Sequence, residues 1–256
     1  MNDKSAAIAS TLDRAYEEHA TRDFIPDDPI QIPHRFNKKE DIEISGFLAA
    51  TIAWGKRITI IRNASLLLDL MDGAPHDFIL NHLPADRNRF KGFVHRTFSE
   101  VDAMYFMESL QRLYLEGIGL EKAFGGHGDK SMQKRLHTFR NLFFESDHLK
   151  RTVKHVSDPA KGSTAKRLNM YLRWMVRSDK EGIDFGIWES IKPKELMIPL
   201  DVHTSTVGRE LGLLKRKQND WKAVEELTEA LRLFDADDPI KYDLALFGMG
   251  VSRRMP

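Results

Sequence analysis

The chain has 256 residues, of which 41% are hydrophobic and 30% are charged, with a net charge of +1 and no cysteine. The lack of cysteine excludes a disulfide framework, a thiolate zinc site and a cysteine-ligated iron–sulfur cluster. No apolar run has the length of a membrane span and no signal-peptide pattern opens the chain, so we expect a cytoplasmic protein without a membrane partner.

Apolar residues recur with helical spacing along nearly the whole chain, which predicts an all-α fold. The proline-containing segment 23–36 is predicted to be an extended connector, because proline and the residue before it disfavour helix. In the helix predicted over 58–71, the apolar face is expected to include Ile58, Ile61 and Leu68. Helices are predicted at 5–19, 43–53, 58–71, 75–81, 99–116, 120–124, 131–144, 165–177, 202–212, 220–233 and 239–247.

The domain organisation is predicted to be one unit over residues 1–256 with two approximate lobes. One lobe covers 40–155, and the other covers 156–256 together with 1–39. The segment 179–194 contains two glycines and a proline and is predicted to be irregular.

The run Ile198-Pro199-Leu200 leads to Asp201 at the start of an amphipathic helix. Aspartate is a preferred N-cap residue, and the positive end of the helix dipole favours a carboxylate there. Asp201 therefore has two interpretations, a plain helix cap or a functional carboxylate.

Charge is distributed unevenly around this region. Residues 150–167 contain six basic side chains and one acid, whereas residues 225–238 contain six acids and one base. Such runs are typical of solvated helix faces, and a basic run is also compatible with a local phosphate-binding face.

The residues from Ile198 to Leu213 resemble the segment that carries the essential aspartate in the helix-hairpin-helix DNA glycosylases, a superfamily that includes endonuclease III. Residues 162–172 resemble the end of their hairpin and the following helix, where bifunctional members have a lysine at the position of Lys166. Residues 47–55 and the next helix resemble the helix pair of their other lobe. Nearly the whole chain also resembles an uncharacterised bacterial family with a domain of unknown function, through 32–36, 53–57, 95–98, 166–170 and the Asp201 segment.

The resemblance implies a two-lobed helix-hairpin-helix fold that binds DNA and cleaves the N-glycosidic bond of a damaged base, with or without lyase activity and without a cofactor. Asp201 is then expected to stabilise an oxocarbenium-like sugar, and Lys166 to attack the same carbon as an amine. Nucleic-acid contacts are expected from Lys161, Gly162, Arg167, Lys56, Arg57 and Arg209. The expected pocket residues are Trp54, His95 and His203, whereas Tyr171 and Trp174 are expected to pack in the core.

Three features depart from the glycosylase pattern. Residues 158–163 keep one glycine where the glycosylases have a Leu-Pro-Gly-x-Gly hairpin, and the cluster cysteines of endonuclease III are missing. Lys166 and Asp201 are 35 positions apart, farther than in the glycosylases, so 179–194 is interpreted as an insertion.

Two alternatives stay open. The first is a binding protein that keeps the fold and holds damaged or unusual nucleic acid without cleaving it. The second is a metal hydrolase that uses Asp201 and His203, although a capping or hydrogen-bonding role for His203 is favoured because no array of metal ligands surrounds the pair.

Overall fold

A computed structural model describes residues 3–126, 128 and 131–252, and these are mostly helical, which confirms the predicted predominance of α-helix. Residues 1 and 2, part of the N-terminus expected to carry no signal peptide, lie outside this description. No helix in the described ranges has both the length and the apolar character needed to cross a bilayer. The helices are α1 (Asp3–His19), α2 (Lys39–Thr51), α3 (Arg57–Asp69), α4 (Pro75–Asn81), α5 (Glu100–Leu115), α6 (Gly119–Gly125), α7 (Met132–Phe143), α8 (Lys166–Val176), α9 (Val202–Glu210), α10 (Trp221–Arg232) and α11 (Tyr242–Ser252).

The chain divides into two compact units. Unit 1 consists of Met1–Phe24 and Asp158–Pro256, and unit 2 consists of Ile25–Ser157. Residues 25–39 thus belong to unit 2, whereas the lobes drawn from the sequence group them with the chain ends.

The core of unit 2 is built from aromatic side chains. Phe47 from α2 lies 5.9 Å from Phe106 of α5, and it contacts Phe139 and Phe143 of α7 at 5.7 and 5.5 Å between ring centroids. All four side chains are completely buried. Edge-to-face and offset contacts at these distances add to the stabilisation that comes from burying the rings.

The prediction of an extended connector over 23–36 was wrong. Three short 3₁₀ helices occupy this region, at Arg22–Asp27, Pro29–Gln31 and Pro33–Arg35. Proline at the first position of a helical turn has no N–H to satisfy and its φ already suits the turn. Asp28 also caps the second turn by accepting a hydrogen bond from the Ile30 N–H at 3.0 Å.

The predicted apolar face of the 58–71 helix was wrong at Ile58, which is 78% exposed, and is confirmed at Leu68, which is buried. The buried face also contains Ile60, Ala64 and Leu67. Asn63 is buried on that face because its side chain donates to the backbone oxygen of Val94 and bonds the His95 ring.

Val94 and His95 belong to a two-stranded antiparallel hairpin that the sequence pattern did not predict. Strand β1 (Val94–His95) pairs with β2 (Phe98–Ser99), with His95 opposite Phe98. Strands of two residues are too short to show an alternating pattern, so periodicity gives no signal for them.

In unit 1, α11 packs against both α1 and α9, and glycines allow the close approach. A Cβ atom at Gly248 would lie 2.2 Å from Cγ and 2.8 Å from Cβ of His19 on α1. A Cβ atom at Gly250 would lie 2.8 Å from Cβ of His203 on α9. Both contacts involve atoms near the backbone, so these helices cannot accept a larger residue without moving.

Gly248→Ala is therefore expected to destabilise the protein by about 1–3 kcal/mol, the usual cost of overpacking. Urea unfolding followed by circular dichroism would measure this change. Adding His19→Ala to the variant should recover most of the lost free energy of unfolding. Equal stability of Gly248→Ala and the parent protein would contradict the close packing of α11 on α1.

Candidate functional site

Lys166 and Asp201 meet in unit 1 although 35 positions separate them in the sequence. The Lys166 Nζ atom lies 3.4 Å from Asp201 Oδ2. The Lys166 side chain is 32% exposed and the Asp201 side chain is 19% exposed, so a bound molecule can reach both groups.

Asp201 occupies the N-cap position of α9, which confirms the cap expected from the sequence. Its backbone is extended, and its Oδ1 atom accepts a hydrogen bond from the Thr204 N–H at 2.9 Å. The preceding residues Leu196–Leu200 are buried and hold the cap in place, in part because the Ile198 N–H donates to the Thr228 hydroxyl. One carboxylate oxygen is therefore used for capping, and Oδ2 is left to face Lys166.

Lys166 is the first residue of α8 and follows an unusual turn. Ala165 is buried and has a left-handed backbone conformation, with φ of 46°, that non-glycine residues rarely adopt. The Ser163 hydroxyl accepts a hydrogen bond from the Ala165 N–H at 3.2 Å, and the Asn169 amide donates to the Thr164 oxygen at 3.1 Å. Strain of this kind persists only where surrounding contacts impose it, and it is concentrated at functional sites.

Residues 177–200, which connect α8 to Asp201, fold back onto α8. Backbone N–H groups of Phe185 and Trp188 donate to the oxygens of Trp174 and Met175, at 2.8 and 3.0 Å. Residues 179–194, all of which the structure describes, form no regular strand or α-helix, as the irregular pattern predicted, and Ile183 among them is completely buried. This return explains how the chain accommodates the long spacing and still brings Asp201 to Lys166.

Buried ion pairs hold residues 177–200 against α8. Asp184 accepts hydrogen bonds from Arg173 Nε at 3.2 Å and from Arg177 Nη1 at 3.0 Å, and its side chain is inaccessible to solvent. Arg177 also donates to Asp238 at 2.8 Å. Although burial opposes it, the charges of Asp184 and Asp238 raise the pKa of Arg177.

Asp243, in the first turn of α11, joins the same network. Its Oδ2 atom accepts a hydrogen bond from Arg173 Nη1 at 2.5 Å. Burial raises the pKa of Asp243 to about 6; the charges of Arg173 and Lys166 oppose this shift, and the charge of Asp201 adds to it. Asp243 is thus a buried carboxyl group that interacts electrostatically with both members of the pair.

The turn before Lys166 contains the expected hairpin residues Lys161 and Gly162, and both are exposed. Gly162 has a φ of 86°, and a Cβ atom there would meet nothing within 4 Å. The N–H groups of Lys161 and Gly162 bond to Asp158 and Pro159 within the turn, so a phosphate contact here would come from the Lys161 side chain. Arg167 is half-buried, and burial lowers its pKa to about 10.

Arg209 and His203 on α9 have internal partners. The Arg209 guanidinium donates to the backbone oxygens of Arg216 and Lys217, both at 2.9 Å, and to the Asn219 side chain at 2.6 Å. Arg209 therefore shapes the loop after α9, and most of its donors are not available to a phosphate.

His203 bonds through Nδ1 to the Gly250 oxygen at 3.2 Å, in agreement with a hydrogen-bonding role. Within the described ranges, no group of three or more His, Cys, Asp or Glu side chains is placed to hold a metal ion.

The remaining expected contacts lie in unit 2. Trp54 is half-buried and stacks on His155, with 5.9 Å between ring centroids. His95 is 1% exposed and bonds the Trp54 oxygen through Nε2 and Asn63 through Nδ1, so it braces the Trp54 turn from inside. Lys56 and Arg57 follow on the exposed surface at the start of α3.

Comparison with family models gives a match over residues 28–252 to a family described as a protein of unknown function, DUF2400. The chain belongs to this family. No curated protein and no solved structure matches it. The family match covers α2–α11 and therefore includes both Lys166 and Asp201.

In this DUF2400 member, the sequence reasoning missed Arg173, Asp184 and Asp243. One signal for them was available, because Arg173 and Arg177 are four positions apart in the stretch 170–177, whose other residues are all hydrophobic. Arginines on a buried helix face need carboxylate partners, which predicts acids elsewhere in the chain. Tyr171 and Trp174 are completely buried, which confirms the expectation that they pack in the core.

Proposed function

We propose that this protein is a DNA glycosylase-like enzyme that cleaves the N-glycosidic bond of a damaged base and has lyase activity through Lys166. The observation that carries the proposal is the 3.4 Å approach of Lys166 Nζ to Asp201 Oδ2 at an accessible position. An amine and a carboxylate at one place are the two groups that this chemistry requires.

We also propose the helix-hairpin-helix glycosylase fold. Three local features support it: an exposed glycine turn before α8, a lysine at the start of that helix, and an aspartate that caps the next α-helix.

In the first chemical step, water adds to C1′ as the bond to the damaged base breaks, the base leaves with a proton, and the abasic sugar opens to its aldehyde. As the bond between C1′ and the base breaks, positive charge develops on the sugar, and a carboxylate close to C1′ stabilises it. Asp201 suits this role because Thr204 and the N-terminus of α9 hold Oδ1, which fixes the direction of Oδ2.

The second step uses the amine of Lys166. A neutral amine adds to C1′ of the abasic aldehyde and water leaves, which produces an imine between Lys166 and the sugar. The ammonium must first lose a proton, and Asp201 Oδ2, 3.4 Å from Nζ, is placed to accept it. Loss of a proton from C2′ of the imine and departure of the 3′ phosphate then break the DNA strand, and water hydrolyses the imine to free Lys166.

A nucleic-acid-binding role without cleavage is the second candidate. The N–H groups of Lys161 and Gly162 are bonded within their turn, so cationic side chains would supply the phosphate contacts. Exposed Lys161 in unit 1 and exposed Lys56 and Arg57 beside half-buried Trp54 in unit 2 provide cationic and stacking groups.

Borohydride trapping with an abasic duplex tests the lyase chemistry. We expect a covalent protein–DNA adduct with the parent protein and none with Lys166→Met, which removes the amine and keeps an apolar stem. Lys222→Met is the control, because Lys222 is an exposed lysine on α10 of the same unit and is not among the expected DNA contacts, and this variant should still be trapped.

Release of uracil, hypoxanthine or oxidised bases from duplexes would establish the glycosylase step. Salt-sensitive duplex binding without any adduct or base release would contradict the enzymatic proposal and support the binding protein.

A further inference from the structure

Three separate parts of unit 2 meet around Trp54, in the turn between α2 and α3. The His95 ring lies 5.1 Å from the indole and bonds the Trp54 oxygen, and the His155 ring stacks on the indole at 5.9 Å between centroids. Both histidines are buried, so the accessible part of the half-buried indole lies away from them. These contacts fix an aromatic ring at the surface of unit 2.

Arg96 is the first residue of the two-residue turn in the β1–β2 hairpin, and its φ is 56°. Such turns need a positive φ at this position, where glycine, asparagine or aspartate is usual. An arginine here therefore strains the backbone, and strain of this kind is concentrated at functional sites. The guanidinium lies across Gly55, because a Cβ atom added to that glycine would be 2.8 Å from Arg96 Nη1. The strained turn thus places a cation over the residue that follows Trp54.

The surface around the indole is cationic. Residues 54–63, 94–99 and 151–157 contain no aspartate or glutamate. Asp102 of α5 pairs with Arg151, but its side chain is inaccessible to solvent, so a bound molecule cannot reach the carboxylate. The exposed cations in the three stretches are Lys56, Arg57, Arg62, Arg96, Arg151 and Lys154.

We propose that the surface around Trp54 binds single-stranded nucleic acid, with an unpaired base stacked on the indole and the neighbouring phosphates held by Arg96 and by the cations at the start of α3. Sites for unpaired strands combine these two elements, an aromatic platform and a cationic track for the backbone. The inference deepens the nucleic-acid role proposed above. It does not require cleavage by Lys166, because the surface belongs to unit 2.

An anionic membrane is the main competing partner, since Ile58 beside these cations is 78% exposed. Membrane-surface binding depends on apolar side chains that enter the lipid. The indole is instead held by His95 and His155 and is only half accessible, which suits stacking against a flat base.

Trp54 gives this surface its own optical signal, because the other tryptophans, at 174, 188 and 221, are at most 3% exposed. Decathymidylate and decauridylate are the probes, and quenching by either supports the inference. We expect the quenching to disappear in Trp54→Phe. The dissociation constant should rise about tenfold in Trp54→Ala, as is usual when one stacked base loses its platform. A duplex of equal length should quench less, because its bases stack on one another.

Arg96→Gly separates the charge from the strain. Glycine adopts a φ of 56° freely, so this variant should unfold at the same urea concentration as the parent protein or a higher one. Strand binding should nevertheless weaken about fivefold, and the slope of log K against log salt should fall by about 0.7, which corresponds to one lost phosphate contact. Asp72→Gly is the matched control, because Asp72 also has a φ of 56°, and it should not weaken strand binding.

Phosphatidylserine vesicles test the competing partner. Binding of vesicles but of neither strand would overturn the inference, and so would strand binding that is unchanged in both Trp54→Ala and Arg96→Gly. Quenching of Trp54 by a strand, in a protein that forms no borohydride adduct, would remove the enzymatic proposal and leave this inference standing. An adduct at Lys166 without any strand binding at Trp54 would do the reverse.

Discussion

Asp201→Asn is expected to slow base release by at least about 100-fold, the usual effect of removing an electrostatic group from a transition state. The substitution removes the negative charge that faces Lys166. It retains the cap of α9, because asparagine is an equally good N-cap residue and its side-chain oxygen can still accept the Thr204 N–H. Single-turnover base release from a lesion duplex would measure the loss.

A matched variant exists in α10. Asp220 caps that helix by accepting the Ala223 N–H at 3.1 Å, so it has the same structural role as Asp201. Its carboxylate pairs with Arg216, whereas the carboxylate of Asp201 pairs with Lys166. Asp220→Asn should therefore retain full activity, and equal activity of the two asparagine variants would show that Asp201 is a helix cap and nothing more.

Alanine substitutions separate the structural contribution from the chemical one. Asp201→Ala and Asp220→Ala should each lower the free energy of unfolding by about 1 kcal/mol, because each removes a capping oxygen. Only the substitution at Asp201 should affect base release.

Asp184→Ala is expected to produce the largest loss of stability, about 3–5 kcal/mol, as is usual when one partner of a buried ion pair is removed. Asp184 neutralises two buried guanidinium groups, those of Arg173 and Arg177. Without Asp184, the ion-pair partners of Arg177 are Asp179 and Asp238, and that of Arg173 is Asp243. Both guanidinium groups stay buried from solvent and lose one neutralising carboxylate. Urea unfolding by tryptophan fluorescence would measure the change.

Glu229→Gln is the control for an exposed pair. Glu229 bonds Arg232 within α10, and its side chain is 65% exposed, so solvent screens the interaction. Its removal should change the free energy of unfolding by less than about 0.5 kcal/mol. A similarly small effect of Asp184→Ala would mean that the ion pairs do not hold the 177–200 segment on α8.

Local chemistry explains what could be predicted from the sequence. The helix predicted over 202–212 is observed at Val202–Glu210, and its cap at Asp201 was also predicted, because the capping hydrogen bond joins residues only three positions apart. The error at Ile58 has a non-local origin. The buried face of α3 includes the polar Asn63, because the distant hairpin supplies partners for its amide, and this displaces Ile58 to the surface.

The approach of Lys166 to Asp201 could not be derived from periodicity. It depends on a return of the chain over residues 177–200 that is held by Asp184 and by backbone bonds to the end of α8. Resemblance to the glycosylases singled out both residues, but it gave no position for Asp243. That carboxylate lies 42 positions after Asp201 in the sequence and joins the network only through the packing of α11.

We expect the amine of Lys166 to form a covalent bond with the sugar of a DNA substrate. Mass spectrometry of the borohydride-reduced, digested adduct locates that bond. We expect the sugar-derived mass on the peptide that contains Lys166. A modification on another lysine such as Lys161, or no modified peptide at all, would contradict the account.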